Sequence, residues 1–335
     1  MTPSRGFAAL ALATLTATIM TMTVTPAEAK TGAASDDSVR YAWIKSCKKK
    51  DYTVPCGQWT LTLRSGKTVK LTDARVNPRL ANGNVDKESS TPFAVSGDGR
   101  SVTYFKGDKL VVRDVNSGKV RPLPGAAAVL PKGIGQNDVD TTISPDGSIV
   151  VIDYSDSADK LPTLVVNLKS GKTIKLPSKN GLLSFSPDGQ HLLTGRYTDD
   201  NITEFVVFDA DGRKGASQVV PQIVSNNSPV ALADDGSTVA LVISGSSGKP
   251  RLRTYDLTSD TVSDAIPLGI PKDESPQRLY WNPAGTLTLW TGNGGGEGDL
   301  ASVMKWTVNA ETGATRKLDA FTIKKSPWTW WLPGE

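Results

Sequence analysis

One turn occurs five times in this chain: Ser96-Gly97-Asp98-Gly99, Ser144-Pro145-Asp146-Gly147, Ser186-Pro187-Asp188-Gly189, Ala233-Asp234-Asp235-Gly236 and Asn282-Pro283-Ala284-Gly285. The closing glycines fall 48, 42, 47 and 49 residues apart. Self-similarity at that period restricts the fold to units that stack along a line or circle an axis.

The unit around Ser144 reads as four short strands. Residues 139–143 lead into the turn, and Ile149-Val150-Val151-Ile152 and Leu164-Val165-Val166-Asn167-Leu168 follow. A second turn, Ser170-Gly171-Lys172, then leads to residues 173–176. β-Branched and aliphatic runs of this length suit pleated sheet, and no long helical period intervenes. In the first turn Pro presets φ, Asp bonds neighbouring backbone and the last Gly tolerates positive φ, the combination of a type I turn in a tight hairpin.

The second turn has six copies: Arg64-Ser65-Gly66, Asn116-Ser117-Gly118, Lys169-Ser170-Gly171, Ala210-Asp211-Gly212, Thr258-Ser259-Asp260 and Glu311-Thr312-Gly313. The surplus copy lies near the N-terminus, where residues 41–44, 59–63 and 68–71 supply three strands with no inner strand before them. The missing strand is expected at the other end, because Thr329-Trp330-Trp331-Leu332-Pro333-Gly334 shares its aromatics, Pro and Gly with Arg278-Leu279-Tyr280-Trp281-Asn282-Pro283. Pairing the two ends closes a ring and leaves no sheet edge at the seam. An open solenoid would need polar caps, whereas Trp328, Trp330 and Trp331 are apolar and call for burial. The expected fold is all-β: a six-bladed β-propeller of four-stranded antiparallel blades, the first blade completed by the C-terminal strand.

The S-P-D-G turn, a following Val-Val-x-Asp strand (Val111-Val112-Arg113-Asp114, Val206-Val207-Phe208-Asp209) and the Ser-Gly-Lys turn resemble the TolB-like, or WD40-like, β-propeller repeats. The resemblance spans nearly the whole mature chain and implies the propeller fold. It implies no single role: such propellers are protein-docking platforms, parts of translocation systems and domains attached to peptidases. Standard WD40 blades carry Gly-His and Trp-Asp dipeptides, and this chain has one histidine and no Trp-Asp.

Residues 1–29 read as a secretory signal peptide, with Arg5, an apolar run from Phe7 to Met20 and the Ala27-Glu28-Ala29 cleavage site. Residues 30–39 are expected to be a flexible segment and 40–335 a single propeller domain. Threonines dilute the apolar run and no second such run follows, so no membrane span is expected after cleavage. A secreted or extracytoplasmic location favours a disulfide between Cys47 and Cys56 over a metal or catalytic pair. The charge, 38 Lys+Arg against 34 Asp+Glu, is mixed and leaves no nucleic-acid footprint.

No catalytic residue, metal site or cofactor is assigned. His191 follows a turn shared by blades without histidine, and one histidine cannot assemble a His-based zinc site. Gly66-Lys67-Thr68 and Gly171-Lys172-Thr173 mimic the end of a P-loop but have Leu61 and Val166 where its first Gly belongs. Asp209-Ala210-Asp211-Gly212 lacks the remaining ligands of a calcium loop.

If both repeated turns lie on one face, the longer connections gather on the other, and loops on a rigid scaffold are where binding residues concentrate. The candidate ligand-binding residues there are Lys48, Lys49 and Lys50 in the cysteine loop, with Asp153, Asp156, Arg196, Asp199, Asp200, Glu297 and Asp299 in other loops. The expected function is a secreted, monomeric, non-catalytic scaffold binding a protein or cell-envelope polymer through this face. The alternatives are a calcium-dependent lactonase or hydrolase using Asp153, Asp156, Asp199 and Asp200, and an envelope translocation component of TolB-like type.

Overall fold

A computed structural model describes residues 37–155, 160–197, 203–244, 248–294, 300–323 and 327–334. Strands β1 (Val39–Lys49), β2 (Tyr52–Leu63) and β3 (Thr68–Lys70) open the first blade. The second holds β4 (Phe93–Val95), β5 (Ser101–Lys106), β6 (Lys109–Asp114) and β7 (Val120–Pro122), and the third β8 (Val139–Ile143), β9 (Ile149–Tyr154), β10 (Thr163–Asn167) and β11 (Thr173–Leu176). The fourth holds β12 (Gly181–Phe185), β13 (His191–Tyr197), β14 (Thr203–Asp209) and β15 (Lys214–Val219). In the fifth, β16 (Val230–Leu232), β17 (Thr238–Ile243) and β18 (Arg251–Asp256) are followed by an outer strand broken into β19 (Thr261–Val262) and β20 (Ile266–Pro267). The sixth is β21 (Ser275–Trp281), β22 (Leu287–Gly294), β23 (Leu300–Val308) and β24 (Thr315–Thr322).

β25 (Pro327–Trp331) then returns to β1, pairing antiparallel with Ala42↔Trp331, Trp43↔Trp330 and Ile44↔Thr329. The first sheet therefore runs β25-β1-β2-β3, and the protein is a six-bladed propeller whose first blade is built from both chain ends.

Each blade is sandwiched between two others, which explains why the strand sequences show little polar alternation. In β9, Val150 and Ile152 pack toward the second blade while Ile149 and Val151 pack toward the fourth. A strand buried on both faces reads as a continuous apolar run. Between blades six and one, Tyr41, Tyr280, Trp290 and Leu332 share one core, with Tyr41 stacked on Phe321 at 5.3 Å. Arg40 adds two 3.0 Å hydrogen bonds to the Asp319 carboxylate across the same joint. One expectation is corrected here: Trp328, Trp330 and Trp331 are only half-buried, and the fully buried anchor is Leu332. An innermost strand faces the axial channel on one side, so its bulky rings cannot all be enclosed.

The repeated turn has a mechanism beyond the Pro-Asp-Gly reading. Ser96, Ser144 and Ser186 are buried, and each hydroxyl donates to the turn Asp, at 2.5, 2.7 and 2.6 Å. Each hydroxyl also accepts the N–H of the residue that opens the next strand, Ser101, Ile149 or His191, at 2.9 Å. The serine thus ties turn to strand. Ala233 lacks the hydroxyl, and there Asp235 accepts from Thr238 Oγ1 instead, at 2.6 Å. In the second turn family Asp260 occupies the left-handed position, φ 52°, that glycine fills elsewhere, and accepts from Tyr255 Oη at 2.8 Å.

The glycines of the two turn families carry different loads. At Gly99, φ 71°, a Cβ would lie 2.6 Å from the Val39 carbonyl oxygen of the neighbouring blade; at Gly66, φ 85°, it would meet nothing within 4 Å. Gly66→Ala is therefore expected to cost about 1 kcal/mol, the left-handed penalty alone, and Gly99→Ala about 3 kcal/mol or more because a blade joint must also shift. Urea unfolding of the two variants checks this; equal losses would contradict it.

Candidate functional site

Both turn families lie on one face. Leu168 N–H donates to the Ser148 carbonyl at 2.8 Å and Leu257 N–H to the Ser237 carbonyl at 3.0 Å, so in the third and fifth blades the turn after the first strand is bonded to the turn after the third. The connections between strands two and three, and between blades, emerge opposite, on the loop face. An axial cavity of about 270 Å³ is lined by residues of β8, β12, β21 and β25. Across its turn-face end Gly334 N–H donates to the Val95 carbonyl at 2.8 Å and Tyr280 Oη donates to the Gly97 carbonyl at 3.2 Å. Burial pushes the Tyr280 hydroxyl up to about 12. The C-terminal tail thus packs across that end of the channel.

Toward the loop face the lining is charged. Asp140 of β8 and Arg278 of β21 both line the cavity. Asp140 keeps an exposed surface, but the protein packed around it partly desolvates the carboxyl and raises it above its ordinary range; the nearby Asp153 charge adds to this, while the bond to its acceptor Oδ1 from Thr141 N–H (2.9 Å) and the Arg278 charge oppose it. Leu183, 41% exposed, turns its apolar side chain to the same cavity. Thr141 Oγ1 and Trp331 Nε1 are buried without a hydrogen-bond partner, and both residues line the cavity. A buried polar atom without a partner costs about 1–3 kcal/mol, which a bound polar molecule can recover. The Glu274 carboxylate, 3% exposed with Oε2 unpartnered, immediately precedes β21.

The residues singled out from sequence fall on separate blades. Asp153 belongs to β9, not to a loop, and its Oδ1 accepts from Thr163 Oγ1 at 2.8 Å and from Tyr154 N–H at 3.1 Å. It lies opposite Asp140 in the β8–β9 register. Arg196 belongs to β13 and donates through Nε to Glu204 Oε2 at 2.6 Å, opposite it on β14. Ser217 Oγ also donates to Glu204, and these bonds, that of Ser217 first, hold the carboxyl below its ordinary range. Lys48 and Lys49 are on β1 and Lys50 at the turn that follows, so the expected cysteine loop is a regular hairpin. Its strands carry charge outward rather than an apolar pattern, which is why they read as loop. Cys47 and Cys56 are joined by a disulfide. Asp156, Asp199, Asp200, Glu297 and Asp299 lie outside the described residues.

Sequence reasoning missed Asp140, Arg278 and Glu274. For Asp140 and Arg278 the signal available was a charge four residues before the repeated turn, where the repeats at Ser96, Ser186 and Ala233 carry Pro92, Leu182 and Pro229. His191 lies on the turn face, where a Cβ at Gly236 of the next blade would sit 2.9 Å from its Cδ2. The one histidine is therefore packed into a blade joint away from Asp140 and Arg278. Among the described residues no helix is long and apolar enough to cross a membrane, and no group of three or more His, Cys, Asp or Glu side chains is placed to hold a metal ion.

No family model matches the sequence, and no curated protein matches it. Among solved structures the chain is similar to a putative TolB from Agrobacterium tumefaciens, at 15% identity over 75% of this chain and 90% of that one, with a TM-score of 0.46. It is also similar to TolB from Acinetobacter baumannii, at 14% identity, 87% and 82% coverage and a TM-score of 0.44. An oligogalacturonate lyase in complex with manganese matches at 11% identity, 87% and 76% coverage and a TM-score of 0.41. The propeller fold implied by the TolB-like resemblance is the one this chain adopts, with the six blades expected from the turn count.

A carboxyl whose folded-state pKa is raised binds its proton more tightly in the native protein, so its contribution favours the fold at low pH and is lost as pH rises past its ordinary value. Asp140→Asn, which can keep the Thr141 N–H bond, is expected to raise Tm at pH 7. The gain should vanish near about pH 3, where Asp140 is protonated in both states. Scanning calorimetry at the two pH values checks this; a lower Tm at pH 7 would contradict it.

Proposed function

We propose that this protein is an extracytoplasmic binding scaffold whose loop face and channel mouth receive a protein or cell-envelope ligand. The observation that carries the reading is the axial cavity: charged by Asp140 and Arg278, bordered by the partnerless Thr141 Oγ1 and Trp331 Nε1, and crossed by the C-terminal tail at its other end. A site for a ligand is concave and mixes apolar walls with a few convergent polar groups, and here Leu183, Trp331 and Phe185 supply the walls. The Cys47–Cys56 disulfide supports export to an oxidising compartment. Binding rather than catalysis fits the placement of the one histidine in a turn-face joint, away from the hydroxyls of Thr141, Thr142 and Ser184 at the cavity.

The test is retention of envelope-extract components on the immobilised mature chain, compared among variants. The wild type and the turn-face control Lys169→Gln are expected to retain the same partner, and Asp140→Ala with Arg278→Ala to lose it while still folding. Equal retention by all three would contradict a channel-mouth site. In the same preparation calcium should leave Tm unchanged; a calcium-dependent rise would instead favour the lactonase-type alternative, because a ligand of the native state must stabilise it.

A further inference from the structure

β1 and β2 are longer than their blade requires. β25 pairs with β1 only from Ala42 to Lys45, and β3 pairs with β2 only from Thr60 to Thr62. From Ser46 to Pro55 the two strands continue as a hairpin with no further strand beside them among the described residues, on the loop face. The five steps from Lys45 to Lys50 amount to about 17 Å of extended chain.

This prong concentrates charge. It carries Lys45, Lys48, Lys49 and Lys50 against Asp51 alone, three of the four formal positive charges by which the whole chain departs from neutrality. All four lysines are exposed, and none has an ion-pair partner among the described residues. Other basic residues are paired, among them Lys106 with Asp73, and Arg75 and Arg79 with Asp108. In the β1–β2 register Lys45 and Lys49 lie on one face of the hairpin and Lys48 on the other, with Lys50 at the tip.

A two-stranded hairpin alone is marginal in water, and clustered like charges weaken it further. Two devices hold this one rigid. The Cys47–Cys56 disulfide crosses it diagonally, and Tyr52 Oη donates to Glu88 Oε1 at 2.7 Å, tying the tip to the loop between blades one and two. Lys49 Nζ stands 5.9 Å from the centre of the Tyr52 ring. The charges are thus held in place before a partner arrives, which lowers the ordering cost of binding.

We propose that this disulfide-braced lysine prong docks a linear phosphodiester polymer of the cell envelope, naming the partner class for the loop face and resting on the scaffold reading of that face. Charge on both sides and the tip of a projecting rod suits a flexible polyanion that can wrap it, whereas a flat anionic membrane meets the tip alone. The one ring near the tip, Tyr52, is tied by its hydroxyl to Glu88. The prong contains no Arg, so it offers no planar two-point fork; its lysine ammoniums act as point charges, which bind phosphate groups repeated along a flexible chain without requiring a fixed orientation. Tyr52 is the one aromatic residue of the prong, a single ring where a strand of bases calls for a series of stacking platforms, which separates such a polymer from nucleic acid.

The probe is fluorescein-labelled poly(glycerol phosphate), titrated by anisotropy with the mature, oxidised chain at several salt concentrations. Binding is expected to weaken steeply with salt, and Lys48→Gln/Lys49→Gln/Lys50→Gln to weaken it about tenfold or more and flatten the salt dependence by about two ions, with Tm unchanged. Lys169→Gln/Lys172→Gln on the turn face should bind as the wild type does. Cys47→Ser/Cys56→Ser, or Lys45→Gln should that pair fail to fold, is expected to weaken binding several-fold. The proposal is overturned if the triple variant binds equally, if the wild type binds no polymer at low salt, or if phosphatidylglycerol vesicles, polygalacturonate or a single-stranded oligonucleotide bind as tightly at equal charge. Retention of an extract partner that needs Asp140 and Arg278, with no polymer binding, would refute the prong and leave the scaffold reading standing.

Discussion

The pairing of β25 with β1 is the constraint on which the rest of this molecule depends. Without it the first sheet would present β1 as an open edge and the sixth blade would lose Leu332 and Tyr41 from one wall of its core. Four register pairs from Ala42 to Lys45 close both gaps at once. Because each blade is buried on two faces, each core between blades depends on both of its neighbours. Closure is therefore shared by every blade rather than local to the seam. The same event creates the axial cavity, whose walls come from blades one, three, four and six.

Ring closure also sorts the two faces by chemistry. Turns with buried serines and positive-φ glycines bond to one another and to neighbouring blades, as in the 2.9 Å bond from Asp98 N–H to the Pro145 carbonyl. That face has its backbone groups committed to structure. The opposite face receives the connections that the repeat does not prescribe, and the extended hairpin with its four exposed lysines lies there. A scaffold that spends its regular chemistry on one face leaves the other free to vary.

The fold was legible because turn chemistry is local. Pro145-Asp146-Gly147 announces its geometry within four residues, and even Asp260 in place of glycine keeps the spacing of its family. The split blade was legible from the aromatic-Pro-Gly pattern shared by residues 278–283 and 329–334, although Leu332 and not the tryptophans proved to be the buried anchor. The candidate site was much less so. Asp140 and Arg278 stand on different blades and meet the same cavity only after closure, so no local pattern joins them. The lysines at 48–50 were visible, but a strand packed on neither face shows no apolar alternation and reads as loop.

The most direct measurement is hydrogen exchange on a chain ending at residue 326, which removes β25 and Leu332 while leaving five complete blades. If closure holds the ring, amides of β9, β14 and β17, far from the seam, lose protection together with those of β1, and the broadened unfolding transition moves to much lower urea. If protection falls in β1 and β2 alone while the other blades exchange as in the full chain, the blades are stable without closure and the account is wrong.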